Sequence, residues 1–166
     1  MENQELLRLK QENERLKLLV HEYEQVIIDI SAPIIPSILP ETILVPITGK
    51  LVPERFENII AKLLKYASTE SITTVVIDFS AISLNEIGDI DTFGHYIDNM
   101  TKALNLVGVK VLYCGFSSAI TQNLISSGLT TSHELRTFMT FKKALQYLMK
   151  TKGMAFAAGY EETAKV

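Results

Sequence analysis

The chain has 166 residues, of which 47% are hydrophobic, 21% charged and 8% aromatic, and its formal net charge is −3. That composition suits one globular domain of ordinary size with room for an extra element, and it excludes a disordered chain. The apolar runs are too short to span a bilayer, the first residues are too acidic for a signal peptide, and the mild negative charge points to no nucleic acid and no membrane as partner.

Charge is unevenly placed along the chain. Residues 1–30 carry four Lys/Arg against seven Asp/Glu, and the remainder is balanced at twelve of each. No Lys or Arg lies between Lys65 and Lys102, a stretch that holds Glu70, Asp78, Glu86, Asp89, Asp91 and Asp98. One end of the domain is therefore expected to be acidic. The single cysteine, Cys114, excludes a disulfide framework, and a cytoplasmic, reducing location is the expectation.

Residues 1–30 read as a heptad zipper. Position a falls on Leu6, Asn13, Val20 and Ile27, and position d on Leu9, Leu16, Tyr23 and Ile30, with no Gly or Pro to interrupt them. β-Branched residues at a with Leu at d favour two parallel strands, and a paired Asn13 penalises other registers. Glu5 and Glu12 at g can reach Lys10 and Lys17 at e of a second copy. A parallel homodimer about 45 Å long is expected, at about 1.5 Å per residue. The alternative is an amphipathic helix docked on its own domain.

Residues 31–152 read as the globular domain. Pro33, Pro36 and Pro40 stop the first helix. Ile34-Ile35 is a candidate edge strand, and Thr42 to Leu51 reads as a strand with Pro46 at an edge or bulge. Pro53 opens a helix whose face is Phe56, Ile59, Ile60, Leu63 and Leu64. Thr73 to Phe79 is a continuous apolar run of the doubly buried kind. Phe93, Ile97, Met100, Leu104 and Val107 mark a second helix ended near Gly108. Val109 to Cys114 is another buried strand. Ser117 or Ser118 caps a third helix through Ile120, Leu124 and Ile125, ended by Gly128. Leu135 to Met139 reads as a last strand, and Thr140 caps a last helix through Phe141, Ala144, Leu145 and Leu148. The alternation predicts an α/β layer fold with a mostly parallel sheet. Residues 153–166 show no sustained period and are expected to be a mobile tail.

The residues offer little enzyme chemistry. There is no GxGxxG, no GxxxxGK[ST] and no GxSxG, and His21, His95 and His133 lie too far apart in sequence for a metal motif. Cys114 lies within an apolar strand and reads as inert core. Asp78 ends a buried strand, where it can serve either as a catalytic carboxylate or, more plainly, as the cap of the following turn. No catalytic residue, no metal and no cofactor is expected. What remains is a hydroxyl-bearing helix start. After the strand and Ser80 comes the loop Ala81 to Asp91, and Thr92 is read as opening the second helix. A hydroxyl there is exposed beside free backbone N–H groups, and phosphate would add about −1.5 to −2 of charge. Alternatively Thr92, or Asp91 before it, is only an N-cap.

From about Ile30 to Met149 the chain resembles a STAS domain of the stressosome RsbR type. The resemblance rests on ISAPIIP, ILVPITGKLVPERF, VVIDFSAI, ALNLVGVKVLYCGFSSAITQNLISSGL and ELRTFMTFKKALQYL. It implies a small α/β domain with a mixed sheet and about four helices that performs no chemistry. It also implies partners: RsbS-like and RsbR-like sister STAS proteins and an RsbT-like serine/threonine kinase, released by phosphorylation to activate a stress pathway. RsbR-type proteins are usually phosphorylated on a Thr that follows an Asp at the start of the second helix, and Asp91-Thr92 offers that pair. The loop after Ser80 is about four residues longer than the family pattern. Counting back from Gly108 places the acceptor slot on Asp91, which would make it a fixed negative charge. The second acceptor slot falls on Asn123, with Thr121 nearby on another face. Glu86, Asp89, Asp78 and Ser80 are the neighbours of the switch. Family members usually carry a globular sensor domain in front, where this chain has the zipper. The expected function is a regulatory scaffold in a stressosome-type assembly. A free anti-sigma factor antagonist that binds an anti-sigma kinase directly is the alternative, and a ligand-binding or enzymatic α/β domain is a third.

Overall fold

A computed structural model describes residues 2–128 and 135–155. The chain begins with one long helix, α1 (Glu2–Ile30). The prolines that follow end it, and the next ordered piece is a two-residue strand, β1 (Ile35–Pro36). Then come β2 (Thr42–Pro46), α2 (Pro53–Thr69), β3 (Thr74–Asp78), a four-residue helix α3 (Leu84–Ile87) and α4 (Ile90–Leu106). The rest is β4 (Lys110–Cys114), α5 (Ser118–Ser126), β5 (Arg136–Phe138) and α6 (Phe141–Thr151).

The five strands lie side by side in chain order. β1 runs antiparallel to β2, and β2 to β5 are parallel. The register is fixed by alternation: Ile43, Val45, Val75, Ile77, Val111 and Tyr113 point to one face, and Val76, Leu112 and Cys114 to the other. The first face is covered by α2, α4 and α5 through Phe56, Ile59, Leu63, Phe93, Ile97, Leu104 and Ile120. The second is covered by α6 through Ala144 and Leu148. Burial of each large side chain contributes about 1.5–3 kcal/mol. The described ion pairs, such as Arg15–Glu12 and Lys102–Asp98, are exposed helix pairs worth about 0.3–0.5 kcal/mol each. Packing on both faces of the sheet therefore dominates.

Several boundaries differ from the sequence reading. β2 ends at Pro46 rather than running to Leu51. The missing N–H of Pro46 falls on the side toward β1, which is too short to reach it, while the N–H of Ile47 still donates to the Asp78 carbonyl at 2.8 Å. β1 occupies Ile35–Pro36 rather than Ile34-Ile35. The loop from Ala81 to Asp91 contains a helix, α3. The helix predicted to open at Thr92 begins at Ile90, with Asp89 as its N-cap. Ser117, not Ser118, caps α5: its Oγ accepts from the Ile120 N–H at 3.2 Å. Thr140 caps α6 and Gly108 follows the end of α4 in the left-handed region, both as read from the sequence. Gly153 and Met154 donate their N–H groups back to the end of α6, and residues 156–166 of the expected tail lie outside the described residues.

The end of α1 is tied to the globular part from α2. The Arg55 guanidinium donates to the carbonyls of Ser31 at 2.7 Å and Lys50 at 2.8 Å. Lys62 donates to the carbonyls of Ala32 at 2.9 Å and Asp29 at 3.4 Å. Two cations thus serve the carbonyls that the helix end leaves free. Arg55 is buried, its Nε lacks a hydrogen-bond partner, and burial lowers its pKa.

Candidate functional site

The start of α4 is built from the sequence Asp89-Ile90-Asp91-Thr92. Asp89 has extended backbone and lies just before the helix. One of its carboxylate oxygens accepts from the backbone N–H of Thr92 at 2.8 Å and from the Thr92 hydroxyl at 2.5 Å. These bonds satisfy a donor of the first turn and hold the Asp89 carboxyl below its ordinary range, the hydroxyl bond contributing most. The caps foreseen at Thr92 and Asp91 are therefore corrected: the N-cap is Asp89, Asp91 is exposed in the first turn, and Thr92 is the third helical residue. Thr92 is exposed because its neighbour Phe93 points inward, with its ring 5.7 Å from those of Phe56 and Phe79.

The preceding loop contains α3. Its capping box pairs Ser83 with Glu86: the Ser83 N–H donates to the Glu86 carboxylate at 2.7 Å, and the Ser83 hydroxyl donates to the same oxygen. Those bonds hold the Glu86 carboxyl below its usual range. The Glu86 carbonyl accepts from the Leu51 N–H at 2.7 Å, which pins α3 to the segment between β2 and α2. A cavity of about 260 Å³ lies along this seam, and its walls include Lys50, Pro53, Phe56, Asp89 and Thr92. Lys50 is the residue that sequence reasoning missed here. It stands 42 positions before Thr92, and no local pattern connects the two.

The other candidate residues lie around this start without joining it. Asp78 closes β3, and its Oδ1 accepts from the N–H of Ser80 at 2.9 Å and from the Ser80 hydroxyl at 2.6 Å, the turn-capping role. Gly115 packs against this turn with φ of 79°. An added Cβ would lie 2.4 Å from the Ser80 nitrogen and 2.7 Å from Asp78 Oδ1, so the close approach requires glycine. Cys114 is fully buried, and burial, reinforced by the charge of Asp78, pushes its thiol up to about 12, which leaves no reactive thiolate. Thr121 is exposed on α5, where its hydroxyl donates to the Ser117 carbonyl at 3.0 Å, and it lines a different cavity, against Phe116 and Phe138. Asp98 is paired with Lys102 at 2.6 Å, so the acidic surface at this end narrows to Glu86, Asp89 and Asp91.

On α1 the stripe Leu6, Leu9, Leu16, Val20, Tyr23, Ile27 and Ile30 is exposed along its whole length, and Asn13 lies exposed within it. A helix docked on its own domain would bury that stripe, and α1 does not. His21 is on α1, His95 on α4, and His133 lies outside the described residues. Among the described residues no three His, Cys, Asp or Glu are grouped to hold a metal, and no helix is long and apolar enough to cross a membrane.

No protein-family model matches the chain. A 119-residue segment is 29% identical to the RsbT co-antagonist protein RsbRA of Bacillus subtilis, covering 71% of this chain and 41% of RsbRA. The chain thus spans about two fifths of the length of that relative. Among solved structures, the fold is similar to a variant of RsbS from Moorella thermoacetica, with a TM-score of 0.59 at 20% identity over 74% of this chain and 98% of that one. It is also similar to a chain of a structure describing the molecular architecture of the stressosome, a signal integration and transduction hub, with a TM-score of 0.57 at 19% identity over 74% of this chain and 100% of that one. The mixed five-stranded sheet and its covering helices give the chain the STAS-like fold of these solved structures, and its sequence is similar to that of RsbRA.

Proposed function

We propose that this chain is a non-enzymatic regulatory scaffold of a stressosome-type assembly. It binds RsbS-like and RsbR-like STAS proteins and an RsbT-like serine/threonine kinase, and it is a homodimer through the α1 zipper. Phosphorylation of Thr92 controls kinase binding. The observation that carries this reading is the placement of Thr92: an exposed hydroxyl in the first turn of α4, bonded to a carboxylate, in a domain related to RsbRA.

The chemistry follows from that bond. Transfer of a phosphoryl group replaces the O–H bond of Thr92 with an O–P bond, so the hydrogen bond to Asp89 is lost. A group of about −1.5 to −2 charge then stands beside the Asp89 carboxylate and within the cavity that Lys50 shares. The helix dipole favours that charge, while the neighbouring Asp89 carboxylate opposes it. The start of α4 and the surface around it change together, which suits a docking switch.

Mass spectrometry of the full chain after incubation with its RsbT-like kinase and ATP is the test. Phosphate on Thr92, abolished by Thr92→Ala, is the expected result. Phosphate only on Ser80, Ser83 or Thr121 would move the site. A chain that takes no phosphate, yet enters a megadalton particle with its sister STAS proteins, would leave Asp91 as a fixed charge in a non-switching scaffold.

A further inference from the structure

The heptads of α1 change character half-way along. The g positions of the first two heptads are Glu5 and Glu12, and those of the last two are Leu19 and Val26. In a parallel two-stranded coil a g residue lies against the e residue five positions further along the other helix. Glu5 and Glu12 there meet Lys10 and Lys17 of the second copy. Leu19 and Val26 instead fall opposite Glu24 and Ser31 of the second copy; neither is apolar, and Ser31 lies just past α1 and is buried in its own chain. Leu19 and Val26 are both exposed in the single chain.

The globular part supplies a cover at that height. A cavity of about 610 Å³ opens between the last turns of α1 and the segment from β2 into α2. Its walls include Glu24, Ile27 and Ser31 on one side and Gly49, Val52 and Arg55 on the other. Glu24 and Ser31 are the two e positions that Leu19 and Val26 of a second copy would face. The cavity therefore lies on the flank of α1 where those side chains arrive. Val52 is 39% exposed and offers an uncovered apolar wall, and Arg55, bonded to Ser31 and Lys50, holds that wall against the helix. The a/d seam itself stays open to its end, with Ile27 57% and Ile30 67% exposed, so the domain does not obstruct an approaching helix.

We infer that this cavity is completed by a second copy of the chain, whose Leu19 and Val26 seat between α1 and Val52. Two-fold symmetry repeats the contact on the other side. Each globular domain then rests on the helix of the other protomer as well as on its own, and the apolar g positions have their reason. This rests on the zipper dimer proposed above.

Crosslinking of full-length chains separates the two ideas. Chains carrying Val26→Cys and chains carrying Val52→Cys are co-expressed with different tags, with the buried Cys114 left in place, and oxidised under mild conditions. Leu16→Cys at a d position reports the zipper alone. The expected result is a 26–52 disulfide between differently tagged chains, found by peptide mass spectrometry, together with a Leu16→Cys crosslink. A Leu16→Cys crosslink without the 26–52 bond overturns the cavity contact and leaves the zipper standing. A chain that sediments as a monomer, with neither crosslink, removes both. In support, Val26→Asp is expected to weaken dimerisation at least tenfold, and Leu18→Asp at an outward f position to leave it unchanged.

Discussion

Asp89 and Asp91 differ by two positions and have different work. Asp89 closes the first turn of α4 with two hydrogen bonds, and Asp91 contributes only its charge near the helix N-terminus. Asp89→Ala is therefore expected to lower the thermal midpoint by roughly 2–6 °C, and Asp91→Ala to change it by about a degree, in parallel thermal melts. The pH dependence has a defined sign. The folded-state pKa of Asp89 lies below its unfolded value, so its contribution to stability is present above about pH 4 and fades as pH falls through the lowered folded value. Asp89→Asn keeps the cap and removes the titration. It is expected to lower stability slightly at neutral pH, to match the parent chain in acid where Asp89 is protonated, and so to flatten the pH dependence, as read from urea midpoints between about pH 5 and 2. In the sequence the run Asp-Ile-Asp-Thr offers three capping side chains in four residues. Local pattern alone could not choose among them, and the choice is made by Phe93, whose burial sets the phase of the helix.

At the scale of elements, the legible parts are those whose side chains carry a sustained period. β3 and β4 are continuous apolar runs because both of their faces are covered, and α2 and α6 show clear one-sided faces. α3 escaped because four residues contain no helical period, although Ser83 and Glu86 stand at the spacing of a capping box. The early end of β2 escaped because it coincides with the end of its partner β3 at Asp78, which is a property of the pair and not of either segment. The role of Arg55 was hidden for a similar reason: its two acceptors lie on either side of the cavity, at Ser31 and Lys50. α1 is legible throughout, and it carries its own test. Asn13→Val removes a polar group from the apolar stripe. It is expected to raise the thermal midpoint of the zipper while admitting species larger than a dimer, seen as a broadened mass distribution in sedimentation.

For the molecule as a whole, charge and shape divide the labour. The end that carries Glu86, Asp89 and Asp91 is acidic, with Lys50 lining one cavity with Asp89, and the α1 stripe is apolar and distant in sequence. Electrostatic steering by the acidic end affects how fast a basic partner arrives more than how long it stays. Asp91→Lys is the clean probe, because Glu86 and Asp89 also hold caps. It is expected to slow association with the kinase about two- to fivefold at low salt, with dissociation little changed and the difference fading near 0.5 M salt, as surface plasmon resonance would record. The outer edge of the sheet sets a different boundary on how copies can meet. β1 is two residues long, one of them is Pro36, and Pro33 and Pro46 stand close by in the chain. That margin presents almost no ladder of free N–H and C=O groups to a stranger's backbone. The rim on this side is therefore blunted, and copies of the chain that meet there are not templated into cross-β stacking.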